Sequence, residues 1–204
     1  MKRAALVLLA LAGCAELTER PAPLPAGLAA QGDPVRGMAF AAQQALGDGG
    51  RGLTGRPADM ALAMARLEHL TVQVAQDPRF AAAPTSLRFQ LQTGRREARN
   101  ALGMADDVAP ERAIAALMAA RRALLANDAP AADRALRAVT RDGPLPPVER
   151  LSDMGGLPMS AIAMSQLREQ IALLDAESGW RGSTLADAPR QGISVSGLGG
   201  NTDR

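Results

Sequence analysis

The residue types that carry nucleophilic or metal chemistry are scarce in this chain. It contains one histidine, His69, and one cysteine, Cys14. A zinc site needs several His or Cys ligands, and a Ser–His mechanism would depend on His69 alone. At the helical period, His69 lies about 180° from Met60, opposite the main apolar stripe of its segment, which favours a solvated residue or a second interface over a general base. The sequence therefore predicts no enzyme activity, no metal and no cofactor.

Two further motifs have chemical counterparts in other proteins. Residues Gly47 to Gly52 read Gly-Asp-Gly-Gly-Arg-Gly and satisfy the pattern G-x-G-x-x-G. The phosphate-binding version needs a strand before it and a helix directly after it, whereas here a helical segment precedes and the next begins only at Pro57. We therefore predict a flexible loop between helices. Asp106 and Asp107 are adjacent carboxylates, which we expect to cap the helix that begins near Pro110.

Two arginine features stand out, the first a candidate surface for an anionic partner and the second a residue with a structural role. The first, here called the arginine ridge, spans about 100° of one predicted helix on the side away from its leucines; its members are Arg88, Arg95, Arg96 and Arg99. Guanidinium groups suit lipid phosphates, peptidoglycan carboxylates or an acidic protein face, and the simpler alternative is a solvated surface near a helix C-terminus. The second is Arg121, which lies within the stripe of Ile114, Met118 and Leu125. We predict a carboxylate or carbonyl partner for it, or a groove that water enters.

The N-terminus has the pattern of a secretory signal. Lys2 and Arg3 precede an apolar run from residue 4 to 12 that is too short to span a bilayer. The residues Leu11-Ala12-Gly13-Cys14 resemble the lipobox of bacterial lipoproteins. The resemblance implies that the Cys14 thiol receives a diacylglyceryl group, that cleavage makes Cys14 the first residue, and that its amino group is acylated, for example with palmitate. The alternatives are an ordinary signal peptide with an incidental cysteine, or a buried thiol.

The lipobox resemblance also implies a location. Ala15, rather than an acidic residue, follows the cysteine, which in lipoproteins favours the outer membrane with the protein facing the periplasm. Removing residues 1–13 leaves 21 basic residues against 21 acidic ones. A neutral periplasmic protein is not expected to bind nucleic acid. With Cys14 lipidated, no disulfide can form within the chain.

The chain divides into four predicted parts: a signal peptide at 1–13, a lipidated Pro-rich tether at 14–34, a helical domain at 35–178 and a flexible tail at 179–204. Within the domain, prolines stand where helices begin. Apolar residues at spacings of three and four predict helices over 35–46, 57–76, 84–104, 110–127, 130–142 and 158–177. No segment alternates like a strand, and aromatic residues are few. We predict an all-α bundle of five to six helices with a core of Leu, Met and Ala.

Two details of this bundle are also predicted. The last helix carries Ile162 and Leu173 on a different side from its main stripe, which predicts a central position. Ala132, Leu136, Val139 and Pro144 resemble the second helix of a tetratricopeptide unit. The first helix departs from that family, since Ala116, Ala119 and Ala123 stand where large residues are expected and only Ala120 suits its position. No second copy occurs at the expected period, so an ordinary helical hairpin is the favoured interpretation.

Attachment, helicity and the lack of catalytic groups predict a binding or adaptor module of the cell envelope, anchored to the membrane by lipid. Its partner would be an envelope protein, peptidoglycan or an anionic lipid. The alternative is a carrier that holds a small apolar molecule or lipid in a methionine-lined cavity between helices. An enclosed apolar pocket would favour the carrier, whereas an exposed apolar surface or the arginine ridge would favour the adaptor.

Overall fold

The structure is a computed structural model and describes residues 24, 27–28 and 33–177. Within this part of the chain there are seven α-helices and no strand, which confirms the predicted all-α bundle. The helices are α1 Pro34–Leu46, α2 Pro57–Gln76, α3 Thr85–Leu102, α4 Pro110–Leu125, α5 Ala129–Arg137, α6 Pro147–Ser152 and α7 Pro158–Ala176. Short 3-10 turns at Arg51–Leu53 and Pro78–Phe80 precede α2 and α3.

Proline marks most of the helix starts. A proline occupies the first turn of α1, α2, α4, α5, α6 and α7, where its fixed φ suits the helix and its missing N–H is not needed. The predicted starts are therefore confirmed. The short helix α6 was not predicted, because the prolines around it indicated only a break. Helix α5 ends at Arg137, earlier than predicted, since the chain then pairs Thr140 with Met104 in a β-bridge.

Helix α2 is the central helix. It packs against α1, α3, α4 and α6. Its buried residues include Ala61, Ala63 and Ala65, whose small side chains let other helices approach closely. The prediction that α7 is central was wrong, because Ile162 and Leu173 remain 44% and 50% exposed. The periodic pattern of large apolar side chains predicts which face of a helix is buried, but it does not detect a face that is buried through alanines.

Helices α1, α7 and α3 form one layer, with α7 packed between the other two. Arg36 of α1 donates from Nε to Asp175 Oδ1 of α7 at 2.8 Å. On the other side, α7 comes so close to α3 that a Cβ added at Gly94 would lie 2.9 Å from Cα of Ser160. Helix α4 packs against α2 and against α5, with which it forms a helical hairpin. The tetratricopeptide resemblance of this hairpin stays a prediction.

Part of the predicted tether belongs to the bundle. Leu28 is completely buried in the core, and Leu24 packs against the core. A Cβ added at Gly27 would lie 3.6 Å from Cε of Met118 on α4. Asp33 accepts hydrogen bonds from the first turn of α1, so the domain begins before the predicted boundary. The rest of the predicted tether, the signal peptide and the tail at 179–204 lie outside the described residues.

Candidate functional site

Membrane attachment is predicted from the sequence alone. Cys14, the predicted lipidation site, lies outside the described residues, as does the rest of the lipobox. Among the helices that the structure describes, none has both the length and the apolar character needed to cross a membrane. The lipid anchor on Cys14 therefore stays a prediction.

The predicted arginine ridge does not form one exposed surface. Of its four members on α3, Arg96 is exposed. Arg88 is half-buried, and its Nη2 lies 3.4 Å from the Phe80 carbonyl oxygen, to which it donates. Arg95 is also half-buried, with Nη1 3.9 Å from Glu68 Oε2. Because the fourth member, Arg99, is buried, the ridge leaves only Arg96 fully available to a partner.

Arg99 forms a buried ion pair, so its predicted place on a surface ridge was wrong. Its Nε and Nη2 donate to Oε1 and Oε2 of Glu68 on α2 at 2.5 and 2.8 Å. Its Nη1 donates to the carbonyl oxygens of Val108 and Asp106 at 2.9 and 3.3 Å. A single guanidinium thus joins α3, α2 and the loop before α4. The missed signal was Glu68, a carboxylate one residue after Leu67 on the buried side of α2.

A second carboxylate, Glu97, holds the start of α7. Its Oε1 accepts from the Met159 N–H at 3.0 Å, and its Oε2 accepts from the Ser160 N–H at 2.8 Å. The Ser160 Oγ lies 3.0 Å from both Glu97 Oε2 and the Gly94 carbonyl oxygen, so these two acceptors share its one hydroxyl proton. Amide groups at a helix N-terminus lack partners within the helix and attract negative charge. Glu97 therefore has a structural role between α3 and α7 that the sequence did not reveal.

The carboxylate pair Asp106–Asp107 does not cap α4, so that prediction was wrong. Ala109 occupies the N-cap position and no side chain bonds there. Asp106 is exposed and has Oδ2 3.4 Å from Nη2 of Arg141. The loop is held by its backbone instead, because Arg99 donates to two of its carbonyl oxygens.

The glycine-rich loop is packed into the fold. Gly49 and Gly50 are buried and adopt left-handed φ values of 77° and 75°, which glycine tolerates without strain. The Leu157 N–H donates to the Gly49 carbonyl oxygen at 2.9 Å, which ties the loop to the start of α7. A 3-10 turn, rather than an α-helix, follows the loop. The glycines therefore serve the backbone conformation of the loop. The loop was predicted to be flexible, but a backbone hydrogen bond holds it to the start of α7.

His69 is half-buried on α2, and burial lowers the pKa of its imidazole below the usual 6.5. It makes no hydrogen bond with a carboxylate or a serine hydroxyl of the described ranges. The predicted second interface at His69 stays a prediction. No catalytic arrangement is built around this histidine in the described structure.

The lowered pKa of His69 predicts an acid-sensitive fold. The unfolded chain binds the imidazole proton at a higher pH than the folded chain does, so stability falls as the pH drops below 6.5 and through the folded pKa. We expect His69→Gln to lose less stability than the wild type between pH 7.5 and 5.5. Urea unfolding at these two pH values checks this prediction. Equal losses in both proteins would show that His69 titrates alike in the folded and unfolded chains.

Among the described residues, Arg121 has no carboxylate or carbonyl partner, and the other predicted alternative, a groove that water enters, stays a prediction. It is half-buried on α4, and its Nε is shielded from solvent without a hydrogen bond in the described structure. Arg66 on α2 is in the same condition. Arg66 was not predicted, although its place between Leu62 and Leu70 on a largely apolar helix was a signal. These two arginines contrast with Arg99, whose guanidinium is fully bonded.

The layer of α1, α7 and α3 exposes large apolar side chains on each of its helices. Phe40 of α1 is 62% exposed and Phe89 of α3 is 64% exposed, with Ile162 and Leu173 on α7 at 44% and 50%. Ile162 and Leu173 are eleven residues apart and therefore share one face of α7. Phe89 and Arg96 are seven residues apart and share one face of α3. The sequence predicts an interior position for Ile162 and Leu173, and it contains no signal that separates Phe40 and Phe89 from the core.

The described residues were also compared for pockets that could hold a ligand and for groups of metal-ligating side chains. A hollow that is open to solvent lies along α5, and its lining is Ala129, Pro130, Asp133, Arg134 and Arg137. Among the described residues, no group of three or more His, Cys, Asp or Glu side chains could hold a metal ion. Comparison of the chain with protein families, curated proteins and solved structures finds no match.

Proposed function

We propose that this chain is a membrane-anchored binding or adaptor module of the bacterial cell envelope. Lipidation of Cys14 would hold it on the periplasmic face of the outer membrane, and the helical bundle would bind another macromolecule. The lipobox sequence supports the anchor. Several acyl chains give stable attachment, since each buried CH₂ contributes about 0.8 kcal/mol.

The observation that carries the binding role is the set of outward-facing apolar side chains on α1, α3 and α7. Phe40 and Phe89 are aromatic side chains that are more than half exposed. A partner that covered them would gain free energy from the burial of their apolar surface. Aromatic residues and arginine dominate the binding energy of protein interfaces. Arg96 lies two helical turns beyond Phe89 on the same side of α3 and adds a positive charge to this layer. These exposed apolar side chains and the positive charge of Arg96 favour, as a partner, an envelope protein with an apolar surface bordered by acidic residues.

The carrier alternative has no comparable support. Its predicted cavity would be lined by methionines, but Met38, Met60, Met64 and Met164 lie within the packed core cluster. The open hollow along α5 has no methionine in its lining. The exposed apolar side chains on α1, α3 and α7 therefore favour the adaptor function over the carrier.

The test is site-specific photo-crosslinking in living cells of the native host. A photoreactive amino acid would replace Phe89 or Leu173 in the layer, or Leu125 as a matched control. Leu125 is 59% exposed but lies on α4, which packs against α2 and α5 rather than against the layer. We expect the same protein adduct from positions 89 and 173 and none from position 125. The adduct should disappear in Cys14→Ser and decrease in Arg96→Glu.

The opposite result is equally clear. Adducts of the same yield at all three positions would indicate random collisions, and the absence of any adduct at positions 89 and 173 would remove the proposed binding surface. An adduct that persists unchanged in Cys14→Ser would show binding without the anchor.

A further inference from the structure

The exposed face of α7 is complementary to itself when two copies of the helix run antiparallel. Its large apolar residues lie towards the two ends, with Ile162 44% exposed and Leu173 50% exposed. Ser165 and Ala172 are exposed between them, and their small side chains let another helix come close. An antiparallel second copy therefore brings its Leu173 over Ile162, and the two-fold symmetry repeats this contact at the other end.

The same register gives a partner to the polar centre of this face. Glu169 is exposed seven residues after Ile162 and so lies on the same side of α7. When position 162 faces position 173 of the copy, position 169 faces position 166. The amide of Gln166, which is half-buried, can donate to the Glu169 carboxylate of the copy. A symmetric parallel pairing would instead set two Glu169 carboxylates against each other, so the antiparallel direction is favoured.

The two ends of the layer of α1, α7 and α3 also differ in charge. Arg96 is exposed on the part of α3 beside the start of α7, because the neighbouring Glu97 bonds the first N–H groups of α7. At the opposite end, Asp175 is bonded to Arg36 of α1, and the exposed Glu177 adds a negative charge directly after α7. Antiparallel pairing brings the acidic end of one layer to the basic end of the other. Opposite charges therefore meet twice in the symmetric pair.

We propose that the layer of α1, α7 and α3 binds the same layer of a second copy of this chain, with the two α7 helices antiparallel. This inference names the partner of the layer and so rests on the proposed binding function. The second copy fits the partner described above, because its layer is apolar and carries the acidic residues Glu169 and Glu177. A two-fold axis normal to the membrane directs both N-terminal tethers to one membrane, so attachment through Cys14 is compatible with the pairing.

Cysteine crosslinking tests the register of the pair directly. Positions 162 and 173 of one copy are about 16 Å apart along α7, whereas a disulfide needs Cα atoms within about 7 Å. The variant Ile162→Cys/Leu173→Cys can therefore crosslink only between copies. We expect the full-length variant, oxidised with copper phenanthroline in its native membranes, to migrate as a dimer that a reducing agent separates. Each single variant should stay monomeric, because antiparallel helices hold identical positions apart.

Two controls accompany this experiment. Leu125→Cys places a thiol at a position that is 59% exposed on α4, outside the layer, and should give no dimer. The wild type, whose only cysteine is Cys14, gives the background of the oxidation.

Reversal of the end charges gives a second readout. In the Ile162→Cys/Leu173→Cys protein, Arg96→Glu and Glu177→Arg should each lower the disulfide yield about fivefold, because each brings like charges together. The two reversals combined restore opposite charges and should return the yield to within about twofold of its starting value. A general loss of folding would be made worse, rather than corrected, by the combination.

Specific outcomes overturn the inference. Dimers from the single variants would show a parallel or random encounter. A photo-adduct within one chain would show that the chain itself covers the layer. If the double-cysteine variant gives no dimer while positions 89 and 173 still crosslink to a different protein, the binding function stands and only the identity of the partner is wrong. If neither a disulfide dimer nor a photo-adduct forms, the inference and the proposed function both fail.

Discussion

Replacing Arg99 by methionine is expected to lower the free energy of unfolding by about 3 to 5 kcal/mol, because Glu68 stays buried and keeps only the longer 3.9 Å contact with Arg95 Nη1. The side chain of Glu68 is only 2% exposed and that of Arg99 only 6%. The same substitution removes the donor from the Val108 and Asp106 carbonyl oxygens, so the loop before α4 loses two hydrogen bonds to α3. Urea unfolding at pH 7.5 measures the change.

A double variant and a control separate the ion pair from a general effect of arginine. Glu68→Leu/Arg99→Met removes both charges and should recover part of the loss, since a buried pair is often replaceable by apolar residues whereas one orphaned charge is not. Arg96→Met changes an exposed arginine on the same helix and should stay within about 0.5 kcal/mol of the wild type. A double variant less stable than Arg99→Met, or a single variant as stable as Arg96→Met, would contradict this account.

Replacing Gly94 by valine is expected to lower the free energy of unfolding by about 3 kcal/mol through overpacking between α3 and α7. A Cβ at this position would lie 2.9 Å from Cα of Ser160 and 3.2 Å from the Met159 carbonyl oxygen. These are backbone atoms, so a side-chain rotation cannot relieve the clash. The hydrogen bonds of Glu97 to the same turn of α7 further restrict its movement away from α3.

Gly156→Ala is the matched control for the Gly94 variant. A Cβ there would meet no atom within 4 Å. We expect this control to change stability by no more than about 0.5 kcal/mol. Thermal and urea unfolding of both variants give the comparison. A Gly94→Val protein as stable as Gly156→Ala would show that α7 is free to shift, and the close contact between the helices would not matter to the fold.

The helices themselves could be predicted because their signals are local. Proline at helix starts and apolar residues at spacings of three and four depend on neighbours in sequence, and the structure follows them. The relative burial of helices could not be predicted in the same way. Helix α2 is central because Ala61 and Ala65 permit close approach, whereas the larger Ile162 and Leu173 on α7 remain exposed. Size and hydrophobicity in one helix do not specify which surfaces another helix covers.

The charged sites were predicted less well, because their partners come from distant parts of the chain. The helical period places Arg99 with Arg95 and Arg96, but Glu68, 31 residues away, decides its burial. The period also identified Arg121 as an unusual charge in an apolar stripe, and only the structure showed that Arg66 shares its situation. Leu28 was assigned to a tether because the prolines around it suppress any helical pattern, although it is completely buried in the core.

The proposed function depends most directly on attachment through Cys14, and the mass of the mature protein tests it. The full chain would be expressed in its native host, extracted from membranes and measured intact by mass spectrometry. We predict a polypeptide that begins at Cys14 and carries a diacylglyceryl group and an additional acyl chain, with Cys14→Ser recovered without lipid and outside the membrane fraction. A wild-type protein that retains residues 1–13, or that begins elsewhere and carries an unmodified Cys14, would contradict the account.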